Sequence, residues 1–221
     1  LSAFLKLANN AEKASLGSRA REKRFRFFLQ LMDPVDRPLS ILDVGGTPAF
    51  WERMGFADPS EAQITLVNLK EVEVNNPVFT SLAGSACDLS RFDDQSFDIV
   101  FSNSVIEHVG GLKDQQDMAA EVMRVGKRYF VQTPNKWFPI EPHFLLPWFQ
   151  FYPVWFRIML MRRFALGYAK APISDLEKAR DHVTRIRLLS RSEFQDLFPP
   201  ASMYDEKMFG LNKSFVAYGG W

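Results

Sequence analysis

The sequence predicts an α/β chain, with a mostly parallel sheet covered on both faces by helices. Three observations predict it. Short β-rich runs alternate with amphipathic helical patterns. A glycine pair, Gly45 and Gly46, separates the first such run from the helical pattern after it. Hydrophobic residues make up 47% of the 221 residues, enough to bury a sizeable core and to argue against wholesale disorder.

The elements follow in order. Residues 1–33 read as helical, with Phe25, Phe28, Leu29 and Met32 at helical spacing. The basic residues among them, Arg19, Arg21, Lys23, Arg24 and Arg26, form what is most often a solvated face; it could also touch an anionic acceptor. "DPVDRP" breaks the pattern. Residues 41–44 are the first strand, and a short helix runs over about 49–54. "ITLVNL" (64–69) is a second β-rich run, and "FDIVFSNSV" (97–105) a third that ends in polar residues. "QQDMAAEVMRVG" is an amphipathic helix stopped by Gly126. "KRYFVQTPN" is a fourth strand, and "SDLEKARDHV" a polar helix. "LSRSEFQDLF" is another helix, with Ser190 or Ser192 as N-cap. "SMYDEKMFG" and "SFVAYGGW" close the chain as a pair of strands.

Charge and cysteine usage exclude some functions. A net charge of +1, from 27 basic and 26 acidic residues, argues against a dedicated nucleic-acid binder. Cys87 is the sole cysteine, so no intrachain disulfide forms. With no secretory signal pattern at the start, the expectation is a cytoplasmic protein.

Aromatics are dense, and residues 144–163, "FLLPWFQFYPVWFRIMLMRR", concentrate them. Pro147, Pro153, Arg157 and the pair Arg162 and Arg163 count against a membrane-spanning helix. Three readings stand in order: cap helices over the site, an apolar substrate channel, and peripheral contact with a membrane surface. The last two can coexist.

Sites in parallel sheets lie at the carboxyl ends of the strands. Those ends carry Asp43 and Gly45; Asn68; Asn103 and Ser104; and Thr133, Pro134 and Asn135. Asp43 either meets a ligand or caps the helix that follows. These residues carry a resemblance. "ILDVGG" and the segment "ACDLSRFDDQSFDIVFSNSVIEHV" (86–109) resemble class I S-adenosylmethionine-dependent methyltransferases, and "FGLNKSFVAYG" resembles that family's last hairpin. The resemblance covers residues 39–135 and the tail and implies a Rossmann-like, seven-stranded sheet; the aromatic-rich stretch it does not cover is expected to be a cap insertion. The chain is then expected to divide into an N-terminal helical segment (1–38), a cofactor-binding core (39–135), a substrate-side cap insertion (136–185) and a C-terminal helix with closing strands (186–221).

The resemblance also implies site roles. S-adenosylmethionine is the expected cofactor, with Gly45, Gly46 and Thr47 holding its methionine part. Asn68, where the family has a carboxylate, would hold the ribose, and Asp88 and Leu89 the adenine. Asn103 and Ser104 would border the methyl group. Asp93 and Asp94 read as a solvated acidic face. Thr47 and Asn68 depart from the family pattern and keep a non-catalytic relative in view. A nicotinamide oxidoreductase is disfavoured, because a full G-x-G-x-x-G and an acidic end to the second strand are missing.

The expected acceptor is a small or lipid-linked molecule, methylated at oxygen. His108 is either bonded to backbone or an acid/base group. Glu141 and His143 alternate, so an extended backbone would set them on one face, as a catalytic pair or as braces for a proline-rich loop. His182 reads as solvent-facing. No His, Cys or carboxylate cluster has metal-ligand spacing in the sequence, so no metal is expected.

Overall fold

The computed structural model describes residues 16–221, with side chains from residue 21. The expected helix over 1–33 is described as α1, Leu16–Met32; its first fifteen residues lie outside the described part, and so does the Arg19 side chain. Seven strands build the sheet, with helices between and beside them. β1 (Leu39–Val44) leads into α2 (Pro48–Arg53), and β2 (Ala62–Asn68) into β3 (Phe79–Ala83). β4 (Phe97–Asn103) passes through a single 3-10 turn, Ile106–His108, to α3 (Leu112–Val125) and β5 (Gly126–Pro134). The cap holds α4 (Val154–Arg163) and α5 (Leu176–Thr184). α6 (Arg191–Leu197) and the hairpin of β6 (Ser202–Met208) and β7 (Leu211–Gly219) end the chain.

The seven strands run in the order β3-β2-β1-β4-β5-β7-β6. β1 to β5 are mutually parallel, and β7 inserts antiparallel between β5 and β6. The fold class is therefore the expected one. Alternation along each strand separates two cores. Leu42, Val44, Val100, Val131 and Phe215 face α3 and α6, while Leu39, Ile41, Ile99, Phe101 and Val216 face α1 and α2.

α1 docks through Phe25, Phe28 and Met32, at helical spacing, while Leu29 stays at the surface. Its basic face is not wholly solvated, as the sequence led us to expect. Arg24 is buried and pairs with Glu206 of β6 at 3.3 Å, and Glu206 also accepts from Lys213 at 3.4 Å and Ser214 Oγ at 3.0 Å. The helix crosses the sheet edge there, so one turn of its polar side faces protein.

The cap has its own core. Phe144, Phe149, Ile158, Met161, Ala179 and Val183 pack together, apart from the two sheet cores. Pro153 starts α4, which ends at Arg163, so the aromatic stretch is a short 3-10 turn plus a ten-residue helix. Among the described residues no helix is long and apolar enough to cross a membrane. Trp137, Trp148, Phe151, Trp155 and Phe164 remain exposed on the cap.

Candidate active site

The carboxyl ends of β1, β2, β4 and β5 form one edge. At β1 the chain turns on Gly45, whose φ is +83°, while its N–H donates to Val67 O at 2.8 Å. A Cβ on Gly45 would collide with the Val105 side chain, and one on Gly46 with the Asp43 carboxylate. Both positions thus need glycine on steric grounds. Asp43 is buried, and its Oδ2 accepts from Trp51 Nε1 at 2.6 Å. Its Oδ1 has no hydrogen-bond partner among the described residues. Burial pushes its pKa up to about 7, against the pull of the Trp51 bond. Asp43 does not cap α2, whose N-cap position is the exposed Thr47, with no side-chain capping bond.

Asn68 braces the turn. Its Nδ2 donates to Gly46 O at 3.0 Å, which a carboxylate could not do, and its carbonyl oxygen is left as an acceptor. At the end of β4 the strand stops two residues earlier than expected. Ser104 adopts φ +58°, uncommon without glycine, and is held by Gln132 through Oγ at 2.8 Å and through N–H at 3.0 Å. Asn103 Oδ1 is a second buried acceptor with no partner among the described residues.

The Asp88 segment separates its two expected residues. Asp88 is exposed, and hydrogen bonds from Ser90 hold its carboxyl below the usual range. Leu89 corrects the expectation of adenine contact. It is fully buried in the core under α3, and its N–H is taken by Glu121 Oε2 at 2.6 Å. The loop after β3 turns the apolar side chain into the core, so only its neighbour faces outward.

A second cluster lies beyond β4 and β5. Glu107, in the 3-10 turn, is fully buried; its Oε2 accepts from Thr133 Oγ1 at 3.0 Å, and its Oε1 has no partner among the described residues. Burial pushes its pKa up to about 7. Gln115 of α3 anchors this turn by donating to Ile106 O at 2.9 Å. His143 Nδ1 meets Glu141 Oε1 at 2.7 Å, and His143 Nε2 meets His108 Nε2 at 3.1 Å. The ring of His108 thus bonds a side chain rather than backbone.

Glu141 also braces the loop, its Oε2 accepting from His143 N at 2.7 Å and Phe144 N at 2.6 Å. The pair meets through this tight turn and not through extended alternation. Burial opposes charge on His143, but Glu141's hydrogen bond and charge, with Glu107's, outweigh it and raise its pKa. Burial, His143 and Arg185 together push His108 down to about 4. With its pKa near 4, His108 is neutral near pH 7.

His182 is half-buried, edge-on to Phe144, and not simply solvent-facing as expected. The expectation of no metal-type cluster also needs correction. Glu107, His108 and His143 each offer a ligand atom, and these lie within 4.8 Å of one another. The sequence hides this because His108 and His143 are far apart in the chain. Glu107 was missed as a site residue; its adjacency to His108 is the one local signal. Beside the cluster, a cavity of about 180 Å³ lies under the cap, lined by Glu141, Phe149, Gln150, Arg157 and Arg187. Gln150 Oε1 and Arg157 Nε are buried there without partners among the described residues.

Residues 48–129 match the family model described as a methyltransferase domain. The sheet order fits, since solved methyltransferases share this chain's fold. A SAM-dependent methyltransferase from Aquifex aeolicus aligns with a TM-score of 0.51 at 13% identity, covering 98% of this chain and 96% of its own. The methyltransferase domain of bacterial CtHen1-C aligns with a TM-score of 0.53 at 14% identity, covering 90% and 97%. At these identities the likeness is one of fold. Two uncharacterized proteins, from two strains of Mycobacterium tuberculosis, are 38% identical over 56 residues, 25% of this chain. The matched part spans only 19% of the length of each. The class I methyltransferase fold read from the sequence is therefore the fold of this chain.

Proposed function

We propose that this chain transfers the methyl group of S-adenosylmethionine to an oxygen of a small or lipid-linked acceptor. The observation that carries the reading is Val105 wedged against Gly45, because it joins the glycine turn directly to the segment bearing Glu107 and His108. A cofactor pole and an acid/base pole then share one sheet edge. Asp43 Oδ1 and Asn103 Oδ1 fit the cofactor. Both are buried acceptors without partners among the described residues, and the amino group of its methionine part is the donor they need. Gly45, Gly46 and Thr47 would face the methionine part, Asn68 the ribose, and exposed Asp88 the adenine.

The cofactor supplies an electrophilic methyl on a sulfonium. The acceptor's O–CH₃ bond forms as the S–CH₃ bond breaks, leaving a thioether. The protein aligns the two and excludes water. With Glu141 on its Nδ1, His143 would take the acceptor's proton at Nε2, the atom that otherwise bonds His108. The polar cavity under the cap suits a small acceptor with its own polar groups. The lipid-linked form rests on the exposed aromatics Trp137, Trp155 and Phe164, with Arg162 and Arg163 next to Phe164 in the chain, a composition that suits an interface.

Calorimetric titration with S-adenosylhomocysteine, with NADH as control, tests the reading. Saturable binding of the thioether alone supports it. Absence of binding to folded protein overturns it.

A further inference from the structure

We propose that Glu107, His108 and His143 form a binding site for one divalent ion of the zinc class, with Glu141 as the positioning residue behind His143. One ligand atom from each of the three lies within 4.8 Å of the others. The two imidazole Nε2 atoms are 3.1 Å apart. Two nitrogens bound to one tetrahedral zinc at its usual bond length sit about 3.3 Å apart, so the pair is already spaced for a shared ion. Glu141 occupies His143 Nδ1 at 2.7 Å, which turns Nε2 outward as the ligand atom. That carboxylate–imidazole arrangement is the one that orients and strengthens metal-ligating histidines.

Glu107 is the second, independent observation. The side chain is fully buried, with one oxygen bonded to Thr133 and the other without a partner among the described residues. A buried carboxylate oxygen is costly unless a donor or a cation meets it. Two nitrogens and one oxygen favour zinc-like ions over calcium or magnesium, which prefer all-oxygen sets. Arg185 is the cation facing both histidines, and it opposes a bound ion only from the exposed side. An ion here displaces the proton shared by the two rings. Three protein ligands leave positions open toward the acceptor side. There a bound hydroxyl would shed its proton to solvent, and the ion would replace His143 as the group that activates it. That role rests on the methyl-transfer reading; ion binding does not.

The test is calorimetry with Zn²⁺ on chelator-treated protein, with Ca²⁺ as comparison and a Co²⁺ absorption spectrum as the signature of nitrogen ligation. The proposal expects about one zinc per chain, weak or no calcium binding, and at least a tenfold weaker zinc affinity in His108→Ala and in Glu107→Gln. Glu141→Gln should weaken it about 10–100-fold and leave the Co²⁺ spectrum in place. No saturable zinc binding by folded wild-type protein overturns the proposal, as does unchanged affinity in His108→Ala. Should His108→Ala fail to fold, Glu107→Gln, a near-isosteric change, decides in its place. S-adenosylhomocysteine titrated separately keeps the two readings distinguishable: zinc binding without cofactor binding would sink methyl transfer alone.

Discussion

The two poles of the sheet edge are built in opposite ways. The glycine turn is local: Asp43, Gly45, Gly46 and Trp51 come from one short stretch, and Val67, Asn68 and Val105 reach in from neighbouring strands and the turn after β4. Its polar groups are mostly paired within the scaffold. The imidazole pole is assembled from a 3-10 turn, the end of β5 and the cap loop, and its charges depend on one another. A turn braced by steric fit fails when its shape changes. A cluster held by coupled charges fails when one proton or one carboxylate changes. The first should govern cofactor affinity and stability, and the second the chemistry.

His143→Ala should show the largest split. Turnover, read as S-adenosylhomocysteine released with a panel of hydroxylated acceptors, should fall about 10²–10⁴-fold. Affinity for S-adenosylhomocysteine should stay at the wild-type value; a parallel loss of affinity would mean that the poles are not separable. Gly46→Ala should do the reverse. The added methyl must displace the Asp43 carboxylate, so denaturant unfolding should register a loss of about 2–3 kcal/mol, together with weakened binding of S-adenosylhomocysteine. Asn68→Asp should cost about 1 kcal/mol, because it removes the donor to Gly46 O. A variant as stable as wild type would show that the brace is dispensable.

The finest effect is a titration. In Glu141→Gln the lost charge should let the His143 pKa fall, as followed by imidazole NMR. The sign also fixes a stability trend. A raised folded-state pKa on His143 contributes stability that is present below the unfolded value near 6.5 and is lost as pH rises through the folded one. The Glu141→Gln variant should therefore show a flatter dependence of melting temperature on pH above 6.5.

The central strands were legible because they are nearly continuous apolar runs, as buried parallel strands are. β3 was not. Its sequence, Phe79–Ala83, carries Thr80 and Ser81 and lies half-exposed at the sheet edge, where little apolar pattern is needed. The Ser190 cap was readable, since Ser190 and Glu193 form a capping box within one turn. Leu89 was misplaced because in an irregular loop no period says which of two neighbours points inward. The approach of His108 to His143 was invisible because the cap loop makes it, and no local period records where a loop returns.

Arg24 and Glu206 also bear on how the chain is made. α1 is synthesised before the sheet strands, but the carboxylate that answers its buried guanidinium belongs to the β6–β7 hairpin. Until β6 and β7 are in place, seating that helix would strand a cation among Phe25, Phe28 and their neighbours, at a desolvation cost of several kcal/mol. Seating α1 must therefore wait for β6 and β7, although strands β1 to β5 lie between them in the chain.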